Sequence, residues 1–266
     1  MMPDIETVSR IVREAAESEI MPRFQKLASH EVSEKKPGDL VTAADLGVER
    51  VLTERLTALV PGSRVVGEEA THHDATLTQL IAAGGSCWVI DPVDGTSNFA
   101  DGKPMFGVQV AFVRDGLTRA AWLYHPVTGR MVAAELGQGA WSEGRRLSVL
   151  AAGTMDDMRG ALYAGPSRPG MHPEFKARAE RYGEARYRRC CAQEYLDMVT
   201  GALHFALFTR LLPWDHAAGA FIHAEAGGYG RLTDGRAYAP TIAEGYILLA
   251  PDEASWRAVR AHFLAA

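Results

Sequence analysis

Hydrophobic and polar residues alternate with a helical period in two stretches near the start of the chain. Apolar residues recur at helical spacing from Ile5 to Phe24 and again over 43–60. The first stretch predicts one long amphipathic helix over the first thirty residues, and the second predicts another helix. The polar run 30–38 that separates them predicts a mobile loop.

Shorter apolar runs predict strands further along the chain. The run 87–90 is short and continuously apolar, as in a buried strand, and residues 64–67 predict another short strand. Between 106 and 135 apolar stretches alternate with turn signals, which is typical of an antiparallel meander. Another short strand is predicted to end at Gly144. The polar run 71–83 has only a weak pattern.

Beyond Gly153 the pattern changes. Short strands and helices are predicted to alternate over 161–164, 173–181, 185–188, 193–201 and 214–226. We therefore expect a boundary near residue 150, with an α+β half over 1–150 and an α/β half over 151–266. The whole chain then belongs to a mixed α+β/α/β class.

Composition narrows the possible functions. The 266 residues are 47% hydrophobic and 23% charged, as in an ordinary globular protein rather than a disordered one. The net charge of -5 makes nucleic acid an unlikely main partner. Three cysteines give no disulfide framework, and neither a secretory signal nor a membrane span is evident. The expectation is a soluble, cytoplasmic protein.

Two carboxylates follow the predicted strand 87–90. Asp91 and Asp94 flank Pro92, which forbids helix, so both acids lie where a buried strand ends. Burying them is costly unless cations are bound, although a surface turn would explain the same residues. The next segment, 95–98, has the composition of a helix start whose N–H groups point outward. It could hold a phosphate or be a plain capped turn.

Other acids are ambiguous when taken singly. Glu68 and Glu69 follow the strand 64–67, where a solvated loop is their usual environment. Asp215 opens the helix predicted over 214–226, as a capping residue would, and Asp45 is placed similarly in its own helix.

Taken together, these segments resemble the inositol monophosphatase family of magnesium-dependent, lithium-sensitive phosphatases. Its signature D-P-x-D-G-T-x-N-F stands at 91–99, and its W-D-x-A-A-G stands at 214–219. The family's G-E-E is found at 67–69 and its D-L-V-T-x-x-D at 39–45. Order and spacing agree over roughly residues 5–250.

The resemblance implies a layered αβαβα sandwich of the sugar phosphatase type, and a homodimer. It assigns the metal ligands to Glu68, Asp91, the carbonyl of Val93, Asp94 and Asp215. Glu68 and Thr96 would orient and activate the attacking water, with Asp45 holding Thr96. Substrate contacts are assigned to Asp94, Gly95, Thr96, Ser97, Cys191, Phe208 and Asp215. Most ligands then lie in the half 1–150, while Asp215 and the leaving-group pocket lie in 151–266.

The implied activity is hydrolysis of a small-molecule phosphate monoester by a metal-activated water, without a phosphoenzyme. An oxygen-only ligand set favours Mg²⁺, with Mn²⁺ possible, over zinc. The resemblance implies two or three ions per site, placed to offset the charge that keeps water and phosphate apart.

Departures from the family concern the leaving group. The inositol enzymes carry a hydroxyl-binding glutamate seven residues before the aspartate of W-D-x-A-A-G, and Phe208 stands there. The neighbouring Thr209 and Arg210 are the alternative source of polar contacts, through a shift of register. The family's G-[ST]-A segment is replaced by residues 189–192, and His204 stands where an aspartate is common. Histidinol phosphate, or another sugar or nucleotide phosphate, is therefore the alternative substrate to inositol phosphate.

Several further residues are interpreted as structural. The lysines at 35–36 lie in the loop where the family has a lysine near its third metal site, but a solvated charge pair is the favoured interpretation. The histidines at 72–73 are expected to be loop residues. The cysteines at 190–191 are expected to pack at the start of a helix. His216 should face away from the site next to Asp215.

Two other classes compete with this hypothesis. D-P-V-D-G-T is similar to the D-x-D-G-T of haloacid dehalogenase phosphatases, but the extra residue displaces the second acid and no matching lysine is evident. The other class is a noncatalytic regulatory binder that has kept the fold. The intact set of carboxylates argues against it.

Overall fold

The computed structural model describes residues 2–36, 38–162, 170–181 and 188–264. Its helices are α1 (Ile5–Glu19), α2 (Ala43–Leu59), α3 (Glu68–His73), α4 (Gln79–Ala82), α5 (Thr96–Ala100), α6 (Phe175–Arg181), α7 (Cys191–Val199), α8 (Pro213–Glu225) and α9 (Glu253–Phe263). Its strands are β1 (Val32–Lys36), β2 (Asp39–Thr42), β3 (Arg64–Gly67), β4 (Ser86–Asp94), β5 (Gly107–Arg114), β6 (Leu117–His125), β7 (Arg130–Glu135), β8 (Gly139–Ser142), β9 (Arg145–Arg146), β10 (Gly160–Leu162), β11 (Phe205–Phe208), β12 (Tyr229–Leu232) and β13 (Ile247–Ala250).

Two sheets form the centre of the fold. The larger has seven strands in the order β3-β4-β5-β6-β7-β8-β9, with only β3 and β4 parallel. This sheet contains the meander predicted over 106–135. The smaller sheet has the order β10-β11-β13-β12, with β10 and β11 parallel.

Strand residues divide between separate layers of core because successive side chains point to opposite faces. Trp88 and Ile90 of β4 pack with α1 and α2, whereas Cys87 and Val89 pack with α7 and α8. In the small sheet, alternate residues face either α7 and α8 or the outer helices α6 and α9. The layers therefore run helix pair, sheet, helix pair, sheet, helix pair, and the predicted αβαβα sandwich is confirmed.

The N-terminal helix is shorter than predicted. α1 ends at Glu19, and the residues after it form turns. Pro22 has no N–H to continue the helical ladder, and it disfavours helical backbone in the residue before it. The apolar period continues to Phe24 because that side chain packs on the same core from outside the helix.

Two predicted loops are in fact regular structure. The polar run 30–38 contains β1, which pairs antiparallel with β2. Its polar composition fits a two-stranded hairpin whose side chains are largely exposed. His72 and His73 lie in the last turn of α3, not in a loop, and both are exposed.

The predicted boundary near residue 150 falls between the two sheets. The seven-stranded sheet ends at Arg146 and the four-stranded sheet begins at Gly160. One hydrophobic core nevertheless joins residues from both sides of it. The division into two halves stays a prediction. The element predicted over 185–188 lies, apart from Arg188, outside the described residues.

No helix in the described part of the chain is long and apolar enough to cross a membrane.

Candidate active site

A polar cleft of about 180 Å³ lies where β4 ends and α5 and α8 begin. It is lined by Gly38, Asp39, Leu40, Glu68, Asp91, Val93, Asp94, Gly95, Thr96, Ser97, Arg189, Cys190, Cys191, Arg210, Leu212, Trp214 and Asp215. All five predicted metal ligands are among them. We call Glu68, Asp91, Asp94 and Asp215 the carboxylate floor.

Asp91 and Asp94 come from the end of β4. The pairing of β4 with β5 is irregular between these residues, where Pro92 has no N–H to donate to the ladder. Asp91 is 1% exposed, and its buried Oδ1 atom has no hydrogen-bond partner within the part of the chain that the structure describes. Burial, together with the nearby carboxylates of Glu68 and Asp94, raises the pKa of Asp91 well above its usual range.

Asp94 is fixed from several directions. Its Oδ2 atom accepts hydrogen bonds from the backbone N–H of Ala192 and, at 3.0 Å, from Nε2 of Gln109. Gln109 also donates to the backbone carbonyl of Asp215 at 3.2 Å, so it joins the end of β4 to α8. Burial raises the pKa of Asp94 to about 6, and the backbone donors oppose that rise.

Asp215 lies in the first turn of α8, which begins at Pro213. Proline is favourable there because the first N–H groups of a helix have no intrahelical partner. Burial raises the pKa of Asp215 well above its usual range, as do the charges of Asp94 and Glu68, while Arg210 opposes the rise.

Glu68 is the first residue of α3, and Glu49 of α2 holds that helix end. The Glu49 carboxylate accepts the N–H groups of Glu69 and Ala70, both at 2.8 Å. Gly67 is required because a Cβ there would overlap the Glu49 carboxylate. The contact caps the helix end beside Glu68.

Lys35 corrects one of our predictions. Its side chain is 4% exposed rather than solvated, and Nζ lies 3.0 Å from Glu68 Oε1 and 2.7 Å from Glu69 Oε1. Burial disfavours the charged form, but these two carboxylates outweigh it and raise the pKa of Lys35. Lys36 is exposed, as expected. The hairpin β1–β2 therefore delivers a buried cation to the cleft.

Thr96 and Asp45 are in contact, as the resemblance implies. Thr96 Oγ1 lies 3.1 Å from Asp45 Oδ1 and 3.0 Å from the carbonyl oxygen of Val93. Thr42 donates its N–H to the other oxygen of Asp45 at 2.9 Å. Asp45 is fully buried, and burial raises its pKa to about 7.

Gly95 allows α5 to start at the cleft. Its φ of 90° is in the left-handed region, and a Cβ would come within 2.8 Å of the Met105 carbonyl oxygen. Thr96 and Ser97 follow it as the first residues of α5 and line the cleft.

The carboxylate floor fits divalent cations. Four carboxylates converge in a largely buried cleft, one oxygen of Asp91 lacks a partner among the described residues, and Lys35 and Arg210 supply positive charge nearby. Such a group of acids is stable in its charged form only with added positive charge. Oxygen donors suit Mg²⁺ or Mn²⁺.

The cysteine and histidine beside this floor do not complete a zinc site. Ligand atoms of Cys191, Asp215 and His216 lie within 4.8 Å of one another. Both ring nitrogens of His216 are already engaged, at 3.0 Å by the hydroxyl of Tyr195 and at 2.7 Å by the carbonyl of Arg210. Burial raises the pKa of the Cys191 thiol well above its usual range, which disfavours the thiolate that zinc requires.

Phe208 does not line the cleft. Its ring packs in the core, stacked on Tyr195 at 5.2 Å and 4.9 Å from the ring of His216. Arg210, two residues further along the chain, lines the cleft instead. Arg189, which lies just before α7, lines it as well. We call Arg189 and Arg210 the arginine rim.

The sequence interpretation missed residues that support the site. Gln109 is a lone amide in the otherwise apolar run of β5, and it could have been noticed for that reason. Glu49 lies four residues after Asp45 on the buried face of α2. Arg210 enters the sequence interpretation only as an alternative to Phe208. Arg189 carries no local signal, because only the fold brings its segment to the cleft.

The fold and the carboxylate-lined cleft together define a metal-dependent phosphoric ester hydrolase. A profile of the inositol monophosphatase family matches residues 3–264. An inositol-1-monophosphatase of Rhizobium meliloti is 32% identical over 219 residues, which cover 80% of this chain and 79% of that protein. A histidinol-phosphatase of Chlorobaculum parvum is 28% identical over 233 residues, covering 86% of this chain and 85% of that one.

Solved structures share the fold. A crystal structure of SaIMPase-II with bound inositol monophosphate superposes with a TM-score of 0.80 and 22% identity, covering 98% of this chain and 94% of that one. The chain therefore belongs to the inositol monophosphatase family, whose members are phosphoric monoester hydrolases that use divalent metal ions. The predictions of family, fold class and phosphomonoesterase activity are confirmed.

Proposed function

We propose that the protein hydrolyses a small phosphate monoester by direct attack of water, with Mg²⁺ held on the carboxylate floor. The observation that carries this proposal is the convergence of four carboxylates around the unpartnered Oδ1 of Asp91. The ligands would be Glu68, Asp91, Asp94, Asp215 and the backbone carbonyl of Val93. Bound cations would lower the pKa of water and neutralise charge on the phosphate and the leaving oxygen.

Thr96 and Glu68 would orient the attacking water. When Thr96 donates its one hydroxyl proton to Asp45 Oδ1, the lone pairs of Oγ1 are left to accept a hydrogen bond from water. Glu68 offers a second acceptor, whose Oε1 atom Lys35 fixes at 3.0 Å. Two acceptors at fixed positions align water for in-line attack.

The segment 94–97 would hold the transferred phosphate. The left-handed turn at Gly95 lets the backbone approach a ligand closely, and Thr96 and Ser97 line the cleft beside it. Asp215 and Cys191 also line the cleft and would contact the alcohol. Two or three Mg²⁺ ions, or Mn²⁺ in their place, match the charge of the floor.

The substrate is either an inositol phosphate or another small phosphate ester, such as that of histidinol, a sugar or a nucleotide. The buried position of Phe208 leaves no glutamate at the usual hydroxyl-binding place and favours the second candidate. From the family resemblance we also propose a homodimer in the cytoplasm, which light scattering and cell fractionation would test.

The test is a panel of phosphate monoesters assayed with Mg²⁺ and, separately, with EDTA. We expect phosphate release from at least one substrate, its loss on chelation, its return on adding Mg²⁺, and no trapped phosphoenzyme. Activity that persists in saturating EDTA would overturn the metal mechanism. A protein that hydrolyses no monoester but binds another protein tightly would be a regulatory binder.

A further inference from the structure

Two cationic side chains at the mouth of the cleft are not used by the proposed mechanism. Arg189 and Arg210 are exposed and line the cleft. Neither forms an ion pair within the part of the chain that the structure describes. The carboxylate of Asp101 is bound by Lys103 at 2.7 Å, and Arg189 makes only a smaller contribution to lowering the pKa of Asp101. Both guanidinium groups are therefore available to a ligand.

The backbone of Arg210 is fixed by a buried chain of hydrogen bonds. The carbonyl of Arg210 can only accept, so the 2.7 Å contact with His216 Nε2 places the ring proton on that nitrogen. The other ring nitrogen then accepts from the hydroxyl of Tyr195 at 3.0 Å. Hydrogen bonds at both nitrogens therefore hold the ring in a single neutral tautomer.

The backbone of Arg189 is held in an unusual conformation. Its φ of 55° is in the left-handed region, which is uncommon for a residue other than glycine. Asn98 of α5 donates to the carbonyl oxygens of Met105 at 2.8 Å and Arg188 at 2.9 Å. A buried amide on the helix that begins at the phosphate segment thus holds the loop that presents Arg189.

The arginine rim lies in the two segments that contact the leaving group in the inositol enzymes. Arg189 precedes the start of α7 and Arg210 precedes α8, on the two segments where this chain departs from the inositol enzymes. A neutral polyol cannot form ion pairs with two guanidinium groups. A carboxylate or phosphate can take paired N–H donors from each of them.

Resting on the proposed phosphatase function, we infer that the preferred substrate is a phosphate monoester carrying a second anionic group, which the arginine rim binds. The chemistry is the same whether that group is a carboxylate or a second phosphate. The arginine rim then binds the second anionic group, while the cations on the carboxylate floor act on the phosphate ester of the same molecule.

Matched substrate pairs test this inference with Mg²⁺ present. 2-Phosphoglycerate differs from glycerol 2-phosphate by a carboxylate in place of a hydroxymethyl group. Fructose 1,6-bisphosphate differs from fructose 1-phosphate by the second phosphate. We expect kcat/KM to favour the anionic member of at least one pair by about tenfold or more, and the pair concerned identifies the anion.

The variants are Arg189→Gln, Arg210→Gln and their combination, with Arg145→Gln as the matched control. Arg145 is an exposed arginine in β9, at the opposite edge of the seven-stranded sheet from β3. The combined variant should bring the ratio within the favoured pair close to one, mainly through KM, and raised salt should do the same to the wild type. The control should keep the wild-type ratio.

Three outcomes would overturn the inference. If the wild type hydrolyses the neutral members as well as the anionic ones, the phosphatase proposal stands and the specificity inference fails. If the combined variant loses activity equally on all four substrates, the arginines bind the transferred phosphate instead. If no substrate of any panel is hydrolysed, both proposals fail together.

Discussion

The carboxylate floor and the arginine rim share one cleft but are built in different ways. Floor residues are largely buried and are held by neighbours from several elements, as Gln109, Ala192 and Lys35 hold Asp94 and Glu68. Rim side chains are exposed, and only their backbones are fixed. Catalytic chemistry is therefore tied to the packing of the fold, whereas substrate choice can change by replacing two loop residues.

Removing one carboxylate from the floor should have the largest effect. Asp91→Asn leaves the cations under-neutralised in a buried site. We expect kcat, measured at saturating Mg²⁺, to fall by about 1,000-fold or more. Asp156→Asn, an exposed aspartate elsewhere, is the control and should be neutral. A variant at position 91 with wild-type turnover would contradict our assignment of Asp91 as a ligand.

Glu68→Gln should separate water activation from phosphate binding. The amide keeps the shape of the side chain but is a poorer acceptor, so we expect kcat to fall by about 100-fold. Phosphate should still inhibit competitively with a similar constant. Glu180→Gln on α6 is an exposed control. An unchanged kcat with a raised KM would show that Glu68 binds substrate rather than water.

Thr96→Val should have a smaller effect, because it removes one oriented acceptor without changing side-chain shape. We expect kcat to fall about tenfold, the equivalent of one hydrogen bond. Thr96→Ser keeps the hydroxyl beside Asp45 Oδ1 and should recover most of the activity. Equal rates for the valine and serine variants would argue against a role for the hydroxyl.

His223 tests the packing behind the floor without touching the cleft. This residue of α8 is fully buried, and neither ring nitrogen has a hydrogen-bond partner among the described residues. Burial lowers its pKa to about 4. Because the unfolded histidine has a pKa near 6.5, the unfolded state takes up the proton first. Stability is therefore full above pH 6.5 and is lost as the pH falls towards 4.

A single such histidine accounts for about 2 kcal/mol of lost unfolding free energy between pH 7 and pH 5. His223→Leu should remove that contribution, measured by urea denaturation at both pH values, and should leave kcat at neutral pH unchanged. His216 has a similarly lowered pKa and is present in both proteins, so its own contribution to the pH dependence is the same in the variant and the wild type. An identical pH dependence in the variant and the wild type would show that His223 is not buried in its neutral form.

The contrast between the carboxylate floor and the arginine rim also explains which site residues could be predicted from the sequence. The residues of the floor lie in compact motifs at strand ends and helix starts, so Asp91, Asp94 and Asp215 could be identified together. Lys35 was misjudged because its local sequence is polar, and only the pairing of β1 with β2 carries it to Glu68. Phe208 was placed by counting along the motif, but the alternation of side chains along β11 turns its ring into the core.

The central claim is that the carboxylate floor binds divalent cations, and calorimetric titration of Mg²⁺ into metal-free protein with phosphate present tests it most directly. We predict that the wild type binds at least two ions per chain and that Asp91→Asn binds fewer or binds them much more weakly, while Asp156→Asn behaves as the wild type. Equal binding by the wild type and Asp91→Asn, or no binding by either at millimolar Mg²⁺, would contradict the claim.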